Sequence, residues 1–219
     1  MARITNPNYK KFLNGDVIYH IDYDDLAKIL SNIKGEYAEM GKALVVLLYY
    51  TGARPAEALL LKTGTRVNGA RDPIERDGNH IIVNMPSVKR GKERKLRIPL
   101  KKPFVDVLYK YSISMPPSSY YFHYYMGNHE RTYNKINGQI ATYREISYKL
   151  RYWFKKWTKD LKINEINPYY LRHDLFTKFM EKGANESEIK LWKGCTTDAS
   201  VIPYLHFSKN NMNKLAKML

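Results

Sequence analysis

Between Asn167 and Gly194 the chain carries two complete sets of helix start and stop signals, back to back. Asn167 offers a side-chain oxygen suited to an N-cap, and Pro168 follows at the first helical position, where its missing N–H costs nothing. Leu171, Leu175, Phe176 and Phe179 then share one face at helical spacing, and Gly183 ends the run. Asn185, with Glu188 three residues later, repeats the start signal as a capping box, and Gly194 closes the second helix. The short segment beyond it carries a single tyrosine, Tyr204. Arg172 lies beside the apolar face of the first helix, one turn beyond Tyr169. An arginine so placed, taken alone, snorkels or pairs with an acid.

A chain of 219 residues can bury a core in one large domain or two small ones. Its 44% hydrophobic and 13% aromatic content argues against disorder. The longest apolar run, Ala43 to Tyr50, is too short to span a bilayer, and the N-terminus lacks the apolar core of a signal peptide. One cysteine rules out an internal disulfide and a multi-cysteine metal site, which fits a reducing compartment. The six histidines show no pairing at i, i+4, so neither a metal nor another cofactor is expected. Lys and Arg total 37 against 21 Asp and Glu, a formal charge of +16. Clustered cations displace counterions from nucleic acid, so a polyanion is the expected partner. A membrane surface is the weaker alternative, because no helix near a terminus joins a basic face to a strongly apolar one.

Along the chain, residues 1–20 are basic and aperiodic and read as a loosely held arm. Asp22 with Asp25 opens a helix whose Leu26, Ile29, Leu30 and Ile33 form a core face, broken at Gly35. A second helix covers Glu36 to Tyr50, with Tyr37, Met40, Leu44, Leu47 and Leu48 inward. In Thr51-Gly52-Ala53-Arg54-Pro55-Ala56-Glu57, Gly52 permits a tight turn and Pro55 suits a new helix start. Arg54 is thereby held near free backbone N–H groups, and Glu57, one turn on, can steady its guanidinium. Thr63 to Asn79 reads as a polar loop, and His80 to Met85 and Lys95 to Leu100 as two strands around a basic hairpin tip. Pro103 to Tyr111 reads as a helix and Ser112 to Asn137 as a Tyr-rich connection. Thr142 with Glu145 caps a long helix to Leu161, with Ile146, Leu150, Trp153, Trp157 and Leu161 as its core stripe. Ser208 to Leu219 forms a short amphipathic helix.

Several of these stretches together resemble the tyrosine recombinase family of phage integrases, Xer-type recombinases, and archaeal virus and plasmid integrases. The family's H-x-L-R-H box is matched at Tyr169-Tyr170-Leu171-Arg172-His173, with tyrosine in the first histidine position. Its leucine-glycine-histidine step, with the nucleophilic tyrosine nine residues later, is matched at Gly194-Cys195 and Tyr204, with cysteine replacing histidine. His206 also fits the family's habit, while Asp174 stands where the family favours threonine. Arg54 and Glu57 match the family's first arginine with its partner glutamate. The resemblance spans Asp22 to Phe207 and implies an α+β fold, mainly α, with a small antiparallel sheet or hairpin. It implies a catalytic domain over 21–207, and a terminal helix over 208–219 that folds back or is exchanged between protomers. The family's departures at the histidine positions point to the archaeal virus and plasmid branch, hence to a cytoplasmic, DNA-associated protein of prokaryotic, archaeal or viral origin.

The resemblance also implies a mechanism. Tyr204 attacks the scissile phosphorus and forms a 3′-phosphotyrosyl link, without metal or ATP. Arg54 and Arg172 clamp the phosphate, and a hairpin lysine protonates the departing 5′-oxygen; Lys89 is the choice, Lys92 the alternative. Arg90, Arg94 and Lys95 join them as DNA contacts. Tyr169 can hydrogen-bond a phosphate oxygen, Cys195 is a weak donor, and His173 is a buried support. The implied partner is double-stranded DNA, bound as a homo-tetramer by a chain that is monomeric or weakly associated when free, with no membrane and no small-molecule substrate. Two other readings stay open: a recombinase-like module with a weakened site that only binds or regulates DNA, favoured by the substitutions at 169 and 195, and an enzyme like type IB topoisomerases.

Overall fold

A computed structural model describes residues 20–64, 72–86, 93–117, 119–122, 150–161 and 166–205. The arm before His20, the hairpin tip with Lys89, Arg90 and Lys92, the start of the long helix at Thr142, His206 and the 208–219 segment all lie outside these residues.

Helix α1 (Tyr23–Asn32) starts as its sequence predicts: Asp22 Oδ1 accepts from the Asp25 N–H at 2.8 Å, and Leu26, Ile29 and Leu30 are buried. Helix α2 (Ala38–Thr51) differs from an ordinary surface helix. Met40 through Tyr49 is buried on nearly every face, as happens when a helix is apolar all round and other elements cover it. It is the central rod of the molecule. Gly52 ends it in the left-handed region (φ 58°). A Cβ there would come within 3.0 Å of Leu175 and 3.2 Å of Phe176, so both backbone and packing require glycine. Helix α3 (Pro55–Leu59) follows at once, with Pro55 in its first turn.

Three antiparallel strands come next, β1 (Ile74–Asp77), β2 (His80–Met85) and β3 (Arg94–Pro99), in spatial order β1-β2-β3. The fold class is the expected mainly helical one with a small antiparallel sheet. β1 replaces part of the stretch read as loop. Only Ile74 of I-E-R-D is buried, so no apolar alternation marks the strand; backbone pairing of Ile74 with Val83 through Asp77 with His80 forms it. The signal that could have found it is Gly78-Asn79, a two-residue hairpin turn with Gly78 at φ 57°.

Helix α4 (Val105–Ile113) begins two residues later than expected, because Phe104 takes a left-handed conformation (φ 63°) at its N-cap. Tyr121 and Phe122 of the Tyr-rich connection are buried in the main core. Helix α5 (150–157) sets Leu150, Phe154 and Trp157 into the same core. Helix α6 (Pro168–Glu181), capped by Asn167, packs along α2, and α7 (Glu186–Lys193) runs to the left-handed Gly194. A 3₁₀ turn (Asp198–Ser200) packs on α7, and the short α8 (Ile202–Leu205) lies against α6. Phe176, Met180, Ile189, Val201 and Tyr204 form a second, smaller core there.

Candidate active site

Among the described residues, Arg54, Arg172 and Tyr204 lie close together. The turn between α2 and α3 carries Arg54 as the N-cap of α3. Its N–H donates to Glu57 Oε2 (2.8 Å), and its Nη1 donates to Glu57 Oε1 (2.6 Å). Glu57 is only 2% exposed, whereas Arg54 keeps 22% of its side chain in solvent. The second Glu57 oxygen also accepts from Arg94 Nη2 at 2.5 Å. Burial pushes the Glu57 carboxyl up, but Arg94, then Arg54 and Arg172, outweigh it and hold it below its ordinary range. Glu57 is therefore an anion at neutral pH.

Arg94 corrects an expectation. Instead of facing outward from the hairpin as a DNA contact, it is buried, and its Nη1 donates to the carbonyls of Trp192 (3.1 Å) and Lys193 (3.0 Å) at the end of α7. A cation at a helix C-terminus is favourably placed. The reason is visible in β3 itself: its residues alternate inward and outward, so Arg94 shares the inward face with Leu96 and Ile98, while Lys95 and Arg97 point out.

Arg172 projects from the second turn of α6 and is 5% exposed. Its Nη1 donates to the carbonyl of Gly52, two residues before Arg54, so the helix end that α2 must close is closed by the second arginine. Its Nη2 is buried with no hydrogen-bond acceptor among the described residues. Burial, then Arg54, pushes the guanidinium down to about 10, against the pull of Glu57 and Tyr204, so it stays charged.

Tyr204 is 1% exposed. Its phenol shares a 2.9 Å hydrogen bond with His173 Nδ1, and its ring meets Phe176 edge-on. Burial, then the neighbouring Lys193 and Arg172, pushes His173 down to about 3, so the imidazole is neutral near pH 7. Tyr169 sits half-buried in the first turn of α6, its N–H donating to Asn167 Oδ1. The Cys195 thiol is engaged, accepting from Ser200 Oγ and donating toward the Lys190 carbonyl at 3.8 Å.

Two participants escaped sequence reasoning. Lys193 is buried beside Tyr204 and Arg172, and its position four residues after Ile189, on the buried stripe of α7, is the signal that could have flagged it. Asp174, unexplained at the sequence level, accepts from His20 Nδ1–H and Lys178 Nζ, both at 2.7 Å, and so ties the chain entering α1 to α6. Among the described residues no group of three or more His, Cys, Asp or Glu is gathered to hold a metal, and no helix is long and apolar enough to cross a membrane.

A profile of the phage integrase family matches residues 19–211. The chain is similar to a tyrosine recombinase of Thermosipho africanus (strain TCF52B), at 24% identity over 221 aligned residues that cover all of this chain and 66% of the relative. Its fold is similar to that of XerA recombinase (TM-score 0.57, 20% identity, 92% of this chain and 65% of the other). It is also similar to that of XerH site-specific recombinase, solved bound to a palindromic difH substrate in a post-cleavage complex (TM-score 0.57, 16% identity, 90% and 52%). The chain spans between half and two thirds of the length of these proteins.

Proposed function

The chain belongs to the phage integrase family, and from that premise we propose that it is a site-specific DNA recombinase that cuts and rejoins strands through a 3′-phosphotyrosyl intermediate. The observation that carries this reading is the meeting of three groups far apart in sequence. Arg172 is bonded to the turn that bears Arg54, and the phenol of Tyr204 is bonded to the residue next to Arg172. Arg54, with its exposed edge, and Arg172, with a buried N–H lacking an acceptor among the described residues, supply paired donors for the non-bridging oxygens of a phosphate. The Arg172 guanidinium, whose charge interacts with Tyr204, would stabilise negative charge developing on the phenol oxygen. Tyr204 then attacks phosphorus, and the 5′-oxygen leaves with a proton from Lys89. The second strand's 5′-hydroxyl reverses the step, which is why no ATP is required. Tyr169 and Cys195 would add hydrogen bonds to the phosphate, and their departure from histidine supports a place in the archaeal virus and plasmid branch. Work on DNA would proceed in a homo-tetramer.

Incubation with a nicked suicide duplex tests this. Wild type should form a covalent protein–DNA adduct, Tyr204→Phe none, and Arg172→Ala should lose cleavage by about 10²-fold or more while retaining binding. One observation favours the second reading, a DNA-binding module without chemistry: Tyr204 is stowed inside and the Cys195 thiol is already engaged. Tight binding with no adduct would decide for it.

A further inference from the structure

Lys193 is buried at the last turn of α7, yet nothing in the proposed chemistry uses it. Its Nζ donates to the carbonyl of Ser200 and lies 4.4 Å from the centre of the Tyr204 ring and 5.2 Å from that of Phe176. One ammonium therefore holds both the start of the tyrosine-bearing segment and its reactive side chain. Resting on the reading of Tyr204 as nucleophile, we propose that Lys193 is a positioning residue whose ammonium clamps the Asp198–Leu205 segment in its seat on α6, and that loss of its proton frees Tyr204 to reach a phosphate.

The surroundings make that proton easy to lose. Arg172 and His173 face it from α6, Arg54 from the start of α3, and Cys195 from the next loop, while Arg94 of β3 is bonded to its own carbonyl. The carboxylates nearby are already taken: Glu57 by Arg54 and Arg94, Asp198 by Lys190. Burial, then Arg172, pushes the amine down to about 7, with Cys195 pulling the other way and Arg54 adding to the fall. Below that pH the cation rests on two aromatic faces, a contact that strengthens when desolvated. Above it the ring contact and the stronger, charge-assisted bond to Ser200 both weaken. What remains is the apolar seat of Val201 and Tyr204, the Tyr204–His173 and Ser200–Cys195 hydrogen bonds and the Lys190–Asp198 pair.

Amide hydrogen exchange of the DNA-free protein, corrected for the intrinsic pH dependence of exchange, reads the clamp through the Val201 and Tyr204 N–H groups, which are bonded to Asp198 O and Val201 O. Wild-type protection at these two amides should fall by about tenfold between pH 6 and pH 8.5, while α2 stays protected. Lys193→Met, which keeps the bulk without the charge, and Lys193→Arg, which keeps the charge without the titration, should each abolish the step. His20, raised above its ordinary value by its bond to Asp174, is the control titrating group, so His20→Gln should preserve the step. No step in wild type, or an unchanged step in either Lys193 variant, overturns the proposal, as does its disappearance in His20→Gln. The suicide-duplex adduct is scored separately. An adduct that grows with pH in wild type and loses that growth in Lys193→Met supports the link to chemistry. A clamp seen by exchange with no adduct at any pH would sink the recombinase reading and leave the clamp standing.

Discussion

Glu57 is where the candidate site is held together, because one carboxylate takes the backbone and guanidinium of Arg54 and the guanidinium of Arg94. Removing the charge would strand a nearly buried Arg94 without its anion, and breaking such a pair from one side costs about 3–5 kcal/mol. Glu57→Gln should therefore lower the unfolding free energy by about that much at pH 7, measured by urea denaturation. The sign with pH follows from its lowered proton affinity. The contribution is present above the ordinary carboxyl range and is lost as the pH falls through the folded-state value. The gap between wild type and variant should thus close in acid. A Glu57→Gln protein as stable as wild type at pH 7 would mean the arginines find other partners.

At the scale of elements, α6 is held on two faces. Its C-terminal half is held to the chain entering α1 by His20, which donates to Asp174 and pairs with Glu181 at 2.9 Å, and by Lys178, which donates to the Ile21 carbonyl at 2.6 Å. The bond to Asp174 raises His20 above its ordinary value, against burial, with Glu181 adding to the rise. A raised histidine contributes stability that is full below pH 6.5 and disappears as the pH climbs through the folded value. His20→Gln should accordingly lower Tm more at pH 6 than at pH 9, by a modest amount because His20 is a third exposed. Equal losses at both pH values would assign the effect to packing instead. The face of α6 bearing His173, Phe176 and Met180 carries the Tyr204 segment on few apolar contacts, each fully buried side chain contributing about 1.5–3 kcal/mol. That is a seat a segment can leave without unfolding the main core.

Over the whole molecule, the excess of 16 positive charges is divided between two jobs. Arg94, Arg172 and Lys193 are buried and build the site, while Lys95 and Arg97 face out from β3. If DNA is the partner, its affinity should fall by about 10³-fold or more between 50 and 200 mM salt. Lys95→Ala should flatten that slope by about one unit, read from binding isotherms across salt, with little loss of stability. Arg94→Ala should instead destabilise the fold; a flattened slope with an intact fold would return Arg94 to the DNA-facing set. What the amino-acid order determined by itself was local. The caps at Asp22, Asn167 and Asn185, the left-handed stops at Gly52 and Gly194, and the apolar stripes follow from backbone preference and side-chain spacing within a turn or two. Tertiary structure decided which cations are buried, that the Asp174 carboxylate answers His20, that the polar stretch before the Gly78-Asn79 turn pairs as β1, and that Lys193 lies over Tyr204. Those outcomes depend on partners up to 154 residues away, and neither the desolvation of a charge nor the pairing of a polar strand leaves a periodic mark in sequence.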